Sequence, residues 1–184
     1  MKIFTDITER SIAALLQSGH IGVLRTDTLY GIVASIKHPD AVERVYQARN
    51  RELTKACIVL IGRQDDIIDP PPTELAATLE SYWPGPVSII LPAPHTPDYL
   101  TRGGDTLAYR LPADTRLQQL LLAVGPLVAP SANIAGMPPA HTMQEAQAYF
   151  GETVDFYVDG GEVSDAQPSQ LLEISADGSI RRLR

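Results

Sequence analysis

Helix-period and strand-like segments interleave along this chain, but several strand candidates follow one another with no helix between them. That order restricts the chain to an α/β fold with a mixed sheet and flanking helices, not a purely parallel sheet. Fifteen prolines and thirteen glycines are spread through the 184 residues, so they read as turns between short elements and not as a disordered tract. Hydrophobic residues at 44% and charged residues at 20% supply one domain, residues 1–184, with a sizeable core.

Caps and periodicity mark the helices. Asp6 with Glu9 reads as a capping box ahead of Ile12, Leu15 and Leu16 on one helical face, and Gly19 ends that helix. Pro39 suits the first position of a second helix, with Val42, Val45 and Tyr46 on its buried side. A third helix runs from Thr73 to Tyr82 and is closed by Trp83-Pro84-Gly85-Pro86. Asp114 caps a leucine-rich helix that ends near Gly125, and Thr142 with Glu145 opens a last one that stops at Gly151. Between them lie strand candidates at Ile21–Leu24, Cys57–Ile61, Val87–Leu91, Thr106–Leu111, Leu127–Ala129, Val154–Val158 and Leu171–Ile174, with Ser179–Leu183 as an edge strand.

Several function classes are disfavoured at this level. The first residues carry no apolar signal-peptide core, and no stretch approaches the ~20 apolar residues of a membrane span. Cys57 stands alone, and His20, His38, His95 and His141 lack metal spacing. These features imply a cytoplasmic protein with no membrane partner and no metal ligands of its own. The net charge of −7 argues against a surface built to grip nucleic acid, although a local basic cleft stays open. Neither GxxxxGK[ST] nor GxGxxG occurs, and Ser131 lacks a Gly-x-Ser-x-Gly frame.

Four places remain as candidates for chemistry. Arg25-Thr26-Asp27-Thr28-Leu29-Tyr30-Gly31 is a polar segment directly after a strand, read as a hydrogen-bonded turn or a ligand loop. Arg49-Asn50-Arg51 and Lys55 place cations at a helix end, read as solvated last-turn residues or a phosphate clamp. Ala129 to Gly136 presents Ser131 and Asn133 among small neighbours, read as a plain turn or as a place where a ligand approaches the backbone. Arg110 ends an apolar strand, so its charge needs a partner, either an internal carboxylate or a bound one.

Taken in order, Thr26-Asp27-Thr28-Leu29-Tyr30-Gly31, Arg49-Asn50-Arg51, Trp83-Pro84-Gly85-Pro86, Arg110-Leu111-Pro112 and Pro130-Ser131-Ala132-Asn133 resemble the YrdC family across almost the whole chain. Gln167-Pro168-Ser169-Gln170 resembles its late serine motif, and the short length resembles its small bacterial branch. The resemblance implies a twisted sheet around a concave, positively charged cleft. It implies an L-threonylcarbamoyladenylate synthase, a nucleotidyltransferase that takes L-threonine, bicarbonate and ATP and releases pyrophosphate. Partner proteins would then pass the threonylcarbamoyl group to tRNA. By the same resemblance Arg49, Arg51, Ser131 and Asn133 are catalytic and contact ATP, with Arg182 reaching the nucleotide from the tail. Thr28, Tyr30, Arg110 and Ser169 form the threonine site, with Arg110 on the carboxylate. No tightly bound cofactor is implied, and Mg²⁺ is expected only with ATP.

Three positions depart from the family pattern. Arg49 stands where lysine is usual, and Arg25 and Glu52 stand where proline is usual. Arg25 either adds a cation to the cleft mouth or faces solvent; Glu52 either weakens phosphate binding or orients Arg51 by pairing. Two alternatives to the synthase are a non-catalytic RNA-binding module with weak RNA affinity and carbamoyl-adenylate chemistry on another substrate.

Overall fold

Strands buried on both faces form the centre of the sheet, and their side-chain alternation decides which helices cover which face. A computed structural model describes residues 1–164, 167–175 and 177–184. In its first half the chain runs β1 (Lys2–Phe4), α1 (Arg10–Gln17), β2 (Gly22–Arg25), β3 (Tyr30–Ser35), α2 (Pro39–Arg49), β4 (Val59–Leu60), α3 (Ala76–Glu80) and β5 (Val87–Pro92). It continues with α4 (Asp98–Thr101), β6 (Thr106–Arg110), α5 (Thr115–Val124), β7 (Leu127–Val128), α6 (Met143–Phe150), β8 (Phe156–Val158), β9 (Gln170–Ile174) and β10 (Ile180–Arg182). Among the described residues these strands form one sheet in the order β1-β8-β2-β3-β7-β4-β6-β5-β9-β10. The sheet is mixed: β8 pairs parallel with β1 and β2, whereas β3 pairs antiparallel with β2 and β7.

Every residue of β3 is buried. Tyr30, Ile32 and Ala34 join the larger core cluster with Val42, Val45 and Tyr46 of α2, whereas Val33 turns to the other face. There it meets Ile12 and Leu16 of α1 and Leu117, Leu120 and Leu121 of α5. The period of two in the strand thus meets the period of about 3.6 in the helices on each side.

Local signals account for most boundaries. Gly19 (φ 82°) follows the end of α1 and Gly125 (φ 87°) that of α5, in backbone that L side chains rarely adopt. Asp114 accepts from the amides of Arg116 and Leu117, and Thr142 accepts from that of Glu145, so both expected caps form. The Asp6–Glu9 box does not. Asp6 Oδ1 accepts from Thr8 N (2.9 Å) in a separate turn, and α1 starts one turn later without a side-chain cap. The expected helix from Thr73 to Tyr82 is a 3₁₀ turn, Thr73–Leu75, running into the short α3. Of the run Cys57 to Ile61 only Val59–Leu60 pairs as a strand. Absent from the sequence reading are β1, α4, the 3₁₀ turn Gln64–Asp66 and β3, whose start is hidden by the polar residues that reach Gly31.

One close approach gives a stability prediction. Gly22 lies opposite Phe156 in the β2–β8 pair, and a Cβ there would sit 2.3 Å from Phe156 Cζ. Phe156 is fully buried and packs edge-on against Phe4, so it has little room to yield. Gly22→Ala is expected to cost about 1–3 kcal/mol by overpacking. Calorimetry should then show a midpoint lower by about 2–12 °C for a chain of this size; an unchanged midpoint would mean that the ring moves aside freely.

Candidate functional site

Arg25 pairs with Tyr30 across β2 and β3, so the polar segment is a tight hairpin and not an open loop. Thr26 holds it closed: its Oγ1 donates to Leu29 O (2.7 Å) and accepts from Leu29 N (3.2 Å). The segment after β7 runs beside β3, where Ala132 N donates to Tyr30 O (2.7 Å) and Ser131 lies opposite Gly31. Helix α2 ends at Arg49, and Asn50 (φ 49°) turns the chain so that Arg51 leaves the helix axis. Arg51 then donates to the carbonyls of Lys55 (3.0 Å) and Ala56 (3.0 Å), tying down the loop that follows.

These elements enclose a cavity of about 160 Å³. Thr28, Tyr30, Arg49, Arg51, Arg110, Ser131 and Ser169 all line it, although they come from five separate stretches of sequence. Arg184 is a fourth guanidinium in the wall, and among the described residues no Asp or Glu side chain belongs to the lining. A larger cavity of about 520 Å³ lies beyond Thr26 and Asp27, but it mixes Arg25 and Arg116 with Asp27, Asp114 and Asp159 and gathers none of the other candidates.

Two of the expected ligand contacts do not line the cavity. Asn133 is buried, and its amide is fully used: Oδ1 accepts from Arg49 Nη2 (3.0 Å) and Ser131 Oγ (2.7 Å). Its Nδ2 donates to Ile134 O (3.0 Å) and Met137 O (2.8 Å). Arg182 lies on the exposed edge strand β10, and its Nε donates to Arg184 O (3.3 Å). Arg184 takes the cavity position instead, because Leu183 N bonds Leu171 O and the last residue turns back so that Arg184 Nε reaches Ser169 O (3.1 Å).

The buried charges explain themselves pairwise. Arg110 faces an internal carboxylate, with Nη2 3.1 Å from Asp27 Oδ1 and 3.3 Å from Thr26 Oγ1. Both side chains are almost fully buried, and Arg110 Nε has no protein partner among the described residues. Burial pushes the Arg110 guanidinium below its ordinary pKa; Asp27 opposes that shift and Arg184 adds to it. Arg49 is lowered to about 10 by burial and then by neighbouring Arg51, so it stays charged at neutral pH. Tyr30 spans the cavity wall, donating to Gly161 O (2.8 Å) and accepting from Gly160 N (3.0 Å), and burial raises its phenol.

The three departures from the family pattern also find places. Glu52 is exposed and pairs with Lys55 (2.7 Å), not with Arg51, so it neither lines the cavity nor orients the clamp. Arg25 donates to Gly160 O (2.8 Å) and borders the second cavity. Arg49 uses Nε on Asn133 O (3.0 Å) and Nη2 on Asn133 and Ser131. The sequence reading missed Ser88, a fully buried hydroxyl that shares a 2.8 Å hydrogen bond with Ser169. Inside the apolar run of β5 nothing marked it except that a serine there needs a partner.

Comparison with known proteins places the chain in a family. The model of the Sua5/YciO/YrdC family, described as "Telomere recombination", matches residues 14–184. Threonylcarbamoyl-AMP synthase of Pyrococcus abyssi is 30% identical over 90% of this chain, but the chain spans only half of that relative's length. The synthase of the same name from Halorhodospira halophila is also 30% identical, with 94% of this chain and 93% of the relative covered. The crystal structure of P. abyssi Sua5 complexed with L-threonine superposes on all of this chain and 57% of its own, with TM-score 0.89 and 26% identity. The match over residues 14–184, together with the shared fold, means that this chain belongs to the Sua5/YciO/YrdC family.

Proposed function

We propose that this chain is an L-threonylcarbamoyladenylate synthase. The observation that carries the reading is a cavity that gathers Arg49, Arg51, Arg110 and Arg184 with small hydroxyls and, among the described residues, no Asp or Glu side chain in its lining. Such a lining suits a ligand that brings both a carboxylate and phosphates. At about 160 Å³ the enclosed space is smaller than the ~300–1,000 Å³ common for drug-sized ligands. It therefore suits the amino acid and the reacting phosphate, with the adenosine lying toward the rim.

In this reading Arg110, Thr28 and Ser169 receive the amino acid, and Arg51, Arg49 and Ser131 receive the phosphates. The threonine amine combines with carbon dioxide from bicarbonate to give a carbamate. A carbamate oxygen attacks the α-phosphorus of ATP, the bond from that phosphorus to the bridging oxygen breaks, and pyrophosphate leaves. The protein's work is to hold the two reactants in line and offset the charge on the phosphates. Among the described residues the lining offers Mg²⁺ no Asp or Glu side chain, so the ion would be held by ATP itself. Downstream, proteins that act on tRNA would consume the mixed anhydride, which water destroys if it is released. No helix of the described residues is long and apolar enough to cross a membrane.

The test is pyrophosphate release by purified protein given ATP, Mg²⁺, bicarbonate and L-threonine. Release should fall to background when threonine is omitted. Release that instead needs carbamoyl phosphate would mark carbamoyl-adenylate chemistry on another substrate, and salt-dependent tRNA binding with no release would mark an RNA-binding module.

A further inference from the structure

The guanidinium of Arg49 is gripped on one side only. Nε donates to Asn133 O (3.0 Å), and Nη2 donates to Asn133 Oδ1 (3.0 Å) and Ser131 Oγ (3.2 Å). Among the described residues Nη1 has no protein partner, although the atom is buried and the residue lines the cavity. The grip is itself fixed, because both Asn133 amide hydrogens go to the carbonyls of Ile134 and Met137. Ala135 N also donates to Arg49 O (2.7 Å), joining the end of α2 to the same loop. A planar fork held at two of its three nitrogens cannot rotate, so the third has one direction left.

We propose that Asn133 is a positioning residue that aims Arg49 Nη1 at the phosphates of ATP, and that it does not touch the nucleotide itself. The inference rests on the synthase reading for the identity of the ligand. Arg49 then offers the ligand a single charged donor, as an ammonium group would, while its remaining donors are used inside the protein. Ser131 stands differently: its Oγ donates to Asn133 Oδ1 (2.7 Å), yet the residue lines the cavity.

A double-mutant cycle separates acting through Arg49 from direct contact. ATP affinity is measured by calorimetry for wild type, Asn133→Ala, Arg49→Met and the double variant, with circular dichroism to verify folding. Asn133→Ala should weaken ATP binding about tenfold when Arg49 is present and have almost no further effect in the Arg49→Met background. Should Asn133→Ala prove unfolded, Asn133→Ser, which retains a smaller acceptor, takes its place in the same cycle.

A second readout needs no ligand. The Nη protons of Arg49 should give separate, slowly averaging NMR signals in wild type and merge when Asn133 is replaced. Full additivity of the two substitutions, or Nη signals already averaged in wild type, would overturn the inference while leaving the synthase reading intact. A wild-type protein that binds no ATP would overturn the synthase reading, and the inference with it.

Discussion

Arg110→Met is expected to raise the threonine KM at least about 30-fold, because a charge-assisted contact to a carboxylate contributes roughly 2–3 kcal/mol. The KM for ATP should change far less, since in the proposed reading the phosphates lie toward Arg49 and Arg51. The same substitution also strips Asp27 of its partner in a site where its side chain is 7% exposed. An uncompensated buried carboxylate costs about 3 kcal/mol, toward the low end of the range because Ala113 N still donates to Asp27 Oδ2 (3.3 Å). For a chain of this length that is a fall of about 6–12 °C in the unfolding midpoint. Adding Asp27→Asn should restore part of the stability without restoring threonine use. That split distinguishes a residue that binds substrate from one that only pairs with Asp27.

Arg51→Ala is expected to lower kcat/KM for ATP about 10²–10³-fold, the usual consequence of removing one preorganised donor from a developing phosphate charge. Its effect on stability should be small, at most about 1 kcal/mol. The partly exposed side chain donates two bonds, both to loop carbonyls, at Lys55 and Ala56. Steady-state kinetics alongside a melting curve decide the matter. A variant that melts far below wild type, with kinetic loss in proportion, would make Arg51 a strap for the loop and not a clamp for ATP.

The legible part of the fold was the part written in local chemistry. The caps at Asp114 and Thr142 and the stop at Gly19 act within a few residues, so the sequence alone displays them. Tyr30 to Ser35 was not legible as β3 because only four residues, closed into a turn by the Thr26 hydroxyl, separate Tyr30 from its partner Arg25. The motif residues pointed to one site, and the fold does bring most of them around one cavity. Pairings across long sequence separations stayed hidden. Nothing near Arg110 says that its carboxylate is Asp27, although "an internal carboxylate" was one of the two partners the sequence allowed. Nothing in the tail Arg181-Arg182-Leu183-Arg184 says which arginine turns inward, since that depends on where β10 ends against β9. Asn133 shows the same limit in another form: its motif marks importance, but only the bonds to Arg49, Ser131, Ile134 and Met137 show that its amide is already spent.

The central claim is that carbon from bicarbonate is joined to threonine and then to the adenylate within this cavity. Radiolabelled bicarbonate, ATP and L-threonine incubated with the protein test it directly, with the nucleotide products separated by chromatography. The account predicts label in a new adenylate peak that disappears when threonine is left out and collapses in Arg51→Ala. ATP consumption with no label entering any nucleotide would contradict it.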